Sequence, residues 1–139
     1  MRAALIALSL ASLTACATSA ISPEEASPVP AERIASARYA DPAAGAVPCM
    51  FIRDSGLYGA GVTIELYIDG ERVAGFRPSE RLRLYLPEGD HLMGSRSSPN
   101  FGLEEFVEHR ERVRAEQACN YRLGVDYTRA IVQPTSNFH

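Results

Sequence analysis

Val62-Thr63-Ile64-Glu65-Leu66-Tyr67-Ile68-Asp69 alternates apolar and mixed side chains and runs directly into Asp69-Gly70. Period two marks a half-buried strand. Asp-Gly supplies the positive φ that the tightest hairpin turn requires. The chain is therefore expected to return through Glu71-Arg72-Val73-Ala74-Gly75-Phe76-Arg77, until Pro78 interrupts the ladder. Alternation resumes in Arg81-Leu82-Arg83-Leu84-Tyr85-Leu86, with the leucines inward and the arginines outward. Pro87-Glu88-Gly89-Asp90 has turn chemistry, and His91-Leu92-Met93-Gly94-Ser95-Arg96 predicts the next strand. Further strands are expected at 47–53, 119–125 and 130–133. Short strands at this spacing predict a mainly β fold, a small antiparallel sandwich over 47–139.

Residues 103–116 admit two readings. Leu103, Phe106, Val107 and Arg110 follow helical spacing, and Glu104 and Glu108 precede partners four residues on. Val107, His109, Glu111 and Val113 instead suit a charged edge strand. The strand is preferred, because strands flank it and a meander needs a partner there.

Tyr67-Ile68-Asp69-Gly70-Glu71-Arg72-Val73 and Leu84-Tyr85-Leu86-Pro87-Glu88-Gly89-Asp90-His91 resemble the pattern of PEGA-like domains and of small uncharacterised β-sandwich envelope lipoproteins. The resemblance covers residues 62–94 and consists mostly of turn chemistry. It implies an immunoglobulin- or prealbumin-like sandwich and transfers no catalytic residue. Glu88 departs from the small residue common at its position, and 101–116 fits neither pattern.

The amino-terminal end carries a different signal. Met1-Arg2 precedes the apolar run Ala3-Ala4-Leu5-Ile6-Ala7-Leu8-Ser9-Leu10-Ala11, too short to span a bilayer but suited to a signal peptide. Leu13-Thr14-Ala15-Cys16 then resembles the lipobox of bacterial lipoproteins. The resemblance implies removal of 1–15, a diacylglyceryl group on the Cys16 thiol and acylation of the new amino terminus. Two or three chains hold a protein firmly where one does not. An ordinary secretory leader, for which Ala15 is also a fitting cleavage residue, is the weaker reading. Ala17 stands where Asp would resemble an inner-membrane retention signal, so the expected location is the periplasmic side of an outer membrane.

Residues 16–46 are rich in Ala, Ser and Pro. Ser22-Pro23, Ser27-Pro28 and Val29-Pro30 favour extended backbone. They read as a flexible tether with a reach of roughly 30 Å, interrupted at most by a short helix within 31–40.

Two cysteines remain once Cys16 is assigned to lipid. Cys49 and Cys119 form an even pair in an oxidising compartment, with no Cys-x-x-Cys and no nearby His to favour metal or thiol chemistry. A structural disulfide is expected. His91 follows Asp90 at a turn, and His109 lies among Glu105, Glu108 and Glu111, where a solvated face is preferred to a zinc site.

The formal charge of −3, with fourteen basic residues, all Arg, against seventeen acidic ones, argues against nucleic acid. The absence of Lys reads as genomic bias. No nucleophile elbow, phosphate loop or dinucleotide fingerprint is present. The expectation is a non-enzymatic envelope module without cofactor or metal, anchored to the membrane by lipid and contacting another envelope protein or the cell wall. The alternative is a ligand-binding or enzyme-inhibitor module using an outward face of Tyr67, Arg81, Arg83 and Tyr85.

Overall fold

In the computed structural model, residues 18–100, 102 and 106–138 are described. Nine strands follow in chain order: β1 Ser27–Pro28, β2 Ala46–Arg53, β3 Thr63–Ile68, β4 Glu71–Phe76, β5 Glu80–Pro87, β6 Gly89–Ser98, β7 Val107–Val113, β8 Cys119–Val125 and β9 Ala130–Pro134. They form a five-stranded sheet, ordered β1-β5-β2-β8-β9, packed on a four-stranded sheet, ordered β4-β3-β6-β7. The mainly β sandwich is thus the observed architecture. Two of its pairings, β1–β5 and β2–β8, are parallel, so the first sheet is mixed rather than wholly antiparallel.

The hairpin that opened the sequence argument is present. Asp69 and Gly70 have φ of 52° and 79°, as a two-residue primed turn demands. Ile68 pairs with Glu71 and Tyr67 with Arg72, after which a bulge shifts the register so that Leu66 faces Ala74. The bulge re-aims β4, and Val73, Ala74 and Phe76 all become fully buried.

At Pro78-Ser79, and again at Glu88-Gly89, the chain passes from one sheet to the other instead of folding back. Ser79 and Gly89 take positive φ at these corners. Alternation then fills the space between the sheets with Phe51, Ile64, Leu66, Ile68, Leu84, Leu86, Met93 and Leu123. Residues 107–113 form strand β7, as preferred, pairing with β6 from Val113 opposite Gly89 to Val107 opposite Ser95. Residues 103–105 of that stretch lie outside the described residues.

The tether expectation is corrected for residues 18–46. Ile21, Ala26, Val29 and Tyr39 are buried. Ser27–Pro28 adds a short parallel strand beside β5, and Ile34 bridges Ala74 at the outer edge of β4. Ile21 and Ala26 cover Met50 and Ile52 on the outer surface of the five-stranded sheet, with Phe138 packed beside them. The anticipated helix is reduced to a single 3-10 turn, Ala31–Arg33, whose Arg33 guanidinium pairs with Glu80 and donates to the Gly75 carbonyl at 3.0 Å. The physical reason is edge protection. Two sheet edges would otherwise carry unpaired backbone groups, and an extended Pro-containing segment suits that role. Its apolar residues fall at irregular intervals, so no periodicity reveals them.

Cys49 and Cys119 are disulfide-bonded, directly opposite one another on the parallel pair β2–β8, with Cα atoms 4.6 Å apart. Loop closure over a sequence separation of 70 contributes about 4 kcal/mol in the chain-entropy model. Replacing both cysteines by Ala is expected to lower unfolding stability by about that amount in urea titrations; a loss under about 1 kcal/mol would refute the loop-closure account. Tyr39→Ala distinguishes a packed segment from a tether. Truncating this buried ring should cost about 3 kcal/mol, whereas a loose spacer would leave the urea midpoint unchanged.

Candidate functional site

The outward face expected from the sequence is divided by the topology. Arg81, Arg83 and Tyr85 lie on β5 in the five-stranded sheet, while Tyr67 lies on β3 in the other. Arg81 Nε donates to the Ala26 carbonyl at 3.1 Å, and the Tyr85 backbone N–H donates to Tyr39 O at 2.9 Å, so the amino-terminal segment engages both residues. Arg83 is exposed. The four residues therefore do not form one surface, because β4 and β5 are joined across the sandwich rather than within a sheet.

Tyr67 has other neighbours. On the outer surface of the four-stranded sheet, Glu65 forms an ion pair with Arg72 Nε at 3.1 Å and accepts from Arg96 Nε at 2.8 Å. The Tyr67 hydroxyl lies 3.3 Å from Glu65 Oε2, and the Arg96 guanidinium sits 5.6 Å from the Tyr67 ring centre. Phe106 meets Tyr67 edge-on at 5.2 Å. Gly94 makes this packing possible, since a Cβ there would come within 2.5 Å of the Phe106 ring. Glu65 is only 8% exposed, whereas Arg72, Arg96 and Phe106 stand open to solvent by about two-fifths. Burial, followed by the nearby Glu65 charge, raises the Tyr67 phenol's pKa, so the hydroxyl stays protonated at neutral pH.

The patch offers an aromatic edge and two guanidinium groups held in place by one carboxylate. Such a surface can stack on a planar or ring-shaped group and hydrogen-bond a carboxylate. It contains no nucleophile–base pair. Sequence reading missed Glu65, Arg72, Arg96 and Phe106. Arg72 was within reach, because a two-residue turn at Asp69-Gly70 places residue 72 opposite Tyr67. Arg96 was not, because its pairing with Glu65 depends on β3 meeting β6.

His91, Asp69 and Tyr39 make a second cluster. His91 Nδ1 is 2.8 Å from Asp69 Oδ2, and Nε2 is 2.8 Å from the Pro87 carbonyl. Asp69 also accepts from the Tyr39 hydroxyl at 3.2 Å and from the Leu92 N–H at 2.9 Å. The ring is buried and both nitrogens are engaged, so no lone pair is directed at a substrate. The group latches the hairpin turn to β6 and to the amino-terminal segment. Asp90, next in sequence to His91, pairs instead with Arg110 and Arg112.

His109 lies 3.1 Å from Glu111 beside a groove of about 430 Å³ between β7 and β9. Among the described residues no group of three or more His, Cys, Asp or Glu is placed to hold a metal ion.

One end of the sandwich is built around Arg53, which is 2% exposed. Its guanidinium donates to the carbonyls of Val62 at 2.6 Å, Phe76 at 2.7 Å and Gly59 at 2.6 Å. Burial pushes its pKa down to about 10, which leaves it charged at neutral pH. These bonds clamp the β2–β3 loop, and the Tyr58 hydroxyl reaches the Asp126 carbonyl of the β8–β9 loop at 3.4 Å.

No protein family model, no curated protein and no solved structure matches this chain.

The Asp69 latch carries a pH dependence. Burial alone would raise the Asp69 pKa, but hydrogen bonds from Leu92, His91 and Tyr39 outweigh it and hold the carboxyl below its ordinary range. A lowered folded-state pKa gives stability that is present above the unfolded carboxylate range and lost as pH falls through the lowered value. The urea midpoint should therefore fall on acidification below about pH 4. Asp69→Asn should be less stable at pH 7 with a shallower acid limb; an unaltered acid limb would remove Asp69 from the explanation.

Proposed function

We propose that this chain is an envelope lipoprotein, cleaved before Cys16 and lipid-anchored on the periplasmic side of an outer membrane, whose sandwich acts as a non-enzymatic binding module. The leader and Cys16 lie outside the described residues, so the anchor rests on the lipobox resemblance of Leu13-Thr14-Ala15-Cys16. The observation that supports it most is the Cys49–Cys119 bond. It accounts for every other cysteine in the chain and suits an oxidising compartment.

The binding surface of this proposal is the outer patch of Tyr67, Arg72, Arg96 and Phe106. Aromatic residues and Arg dominate binding energetics in small interfaces. The remaining titratable clusters hold strands and turns together. A partner in the envelope, whether a protein or the cell wall, fits this surface. An enzyme-inhibitor module is the second reading, and it would use the same patch in place of the Tyr67/Arg81/Arg83/Tyr85 face.

Two experiments test the proposal. Cys16→Ala should release the protein from membranes; its retention after high-salt and carbonate washing would overturn the anchor. A photo-crosslinking side chain at position 72 should capture one defined envelope partner that the same probe at position 83 does not. Tyr67→Ala with Arg96→Ala should then weaken that partner's binding about tenfold or more without unfolding the domain. Equal capture at both positions would dismiss the patch.

A further inference from the structure

The amino-terminal segment joins the sandwich at one of its two ends. Ser19 forms an antiparallel bridge with Ser55, its N–H donating to the Ser55 carbonyl at 2.8 Å and its carbonyl accepting from the Ser55 N–H at 3.0 Å. Ser55 lies at the base of the β2–β3 loop, the loop clamped by Arg53. Ser19 lies three positions beyond Cys16, a span of at most about 10 Å even when fully extended. A lipid on Cys16 is therefore confined to the immediate neighbourhood of this loop end.

That same end exposes unusual side chains. Leu57 is 77% exposed, Tyr58 42% and Tyr127 93%. Leu57 and Tyr58 project from the β2–β3 loop, and Tyr127 from the β8–β9 loop, which the Tyr58–Asp126 contact holds alongside. Tyrosines are enriched where protein meets the headgroup region of a bilayer, with an apolar ring and a polar tip suited to that depth. The two carboxylates of these loops are neutralised locally, Asp54 by Arg122 and Asp126 by Arg129. The guanidinium of Arg53 is directed inward to backbone carbonyls.

We infer that the β2–β3 and β8–β9 loops form a membrane-docking tip, in which Leu57, Tyr58 and Tyr127 enter the headgroup region beside the lipidated Cys16. The strands then stand roughly along the membrane normal. The opposite end, carrying the Asp69-Gly70 turn and the β7–β8 loop, points away from the bilayer. The Tyr67/Arg72/Arg96/Phe106 patch faces sideways, open to a partner held near the same membrane. This inference rests on the proposed lipidation of Cys16.

The chain contains no Trp, which makes a single introduced tryptophan an unambiguous probe. The full mature lipoprotein, carrying either Leu57→Trp or Gln117→Trp, is reconstituted into vesicles of phosphatidylglycerol and dibromostearoyl phosphatidylcholine. Gln117 lies in the β7–β8 loop, at the far end. The Leu57→Trp protein should show blue-shifted emission, quenched at least twofold relative to non-brominated vesicles; the Gln117→Trp protein should show neither. Tyr127→Trp provides a second reporter should the position 57 variant fold poorly. Mass spectrometry of the same preparations reads the adduct on Cys16. Its absence overturns the anchor and the docking tip together. A lipidated protein whose tip tryptophan is unquenched overturns the docking tip alone. A shift seen in native membranes but not in vesicles reassigns the tip to a protein partner.

Discussion

Strand β2 and its pairing with β8 form the contact on which the rest of the structure depends. β2 lies between β5, antiparallel, and β8, parallel, and is buried on both surfaces. Its inner face places Phe51 against Tyr121, with ring centres 4.9 Å apart, and its outer face gives Met50 and Ile52 to the amino-terminal cover. A parallel pair cannot be closed by a tight turn. The chain instead travels through β3 to β7 before returning, and the Cys49–Cys119 bond fixes the register where the two ends of that excursion meet.

Arg53 continues the same logic at the end of β2. A buried guanidinium without a directly bonded carboxylate is costly unless its donors are satisfied. Here the carbonyls of Gly59, Val62 and Phe76 accept three hydrogen bonds from its two terminal nitrogens, and they belong to the loop entering β3 and to the last residue of β4. One side chain of the five-stranded sheet thereby anchors the four-stranded sheet and a surface loop. The loop's exposed residues are displayed on a fixed base.

The amino-terminal segment links the core of the fold to its surface. By lying across β2, beside β5 and along β4, it closes one side of the sandwich and removes the slack that a spacer would provide. Under the proposed lipidation of Cys16, this packing would restrict the orientation of the domain at a membrane. The covering segment also leaves the outer surface of the four-stranded sheet, with Tyr67 and Phe106, open.

Most strands were legible in the sequence, because alternation and turn residues act over neighbouring positions. The strand at 62–68, the Asp69-Gly70 turn and the inward leucines of 82–86 followed from local chemistry, and the pairing of the two cysteines from the expected compartment. The preference for strand over helix at 107–113 rested on what flanks it, and the structure agrees. Sheet membership was not legible. Pro78-Ser79 and Glu88-Gly89 read as turns in either case, and only the burial of both inner faces makes them crossings between sheets. That crossing separates Tyr67 from Arg81, Arg83 and Tyr85 and gives it Arg72, Arg96 and Phe106. The covering role of residues 18–46 was hidden for a related reason. A segment without periodicity has no packing signal of its own, and its place is set by exposed strand edges elsewhere in the chain. The sequence by itself determined the strands, their turns and the disulfide pair; the tertiary structure decided which strands share a face, because that choice depends on contacts far apart along the chain.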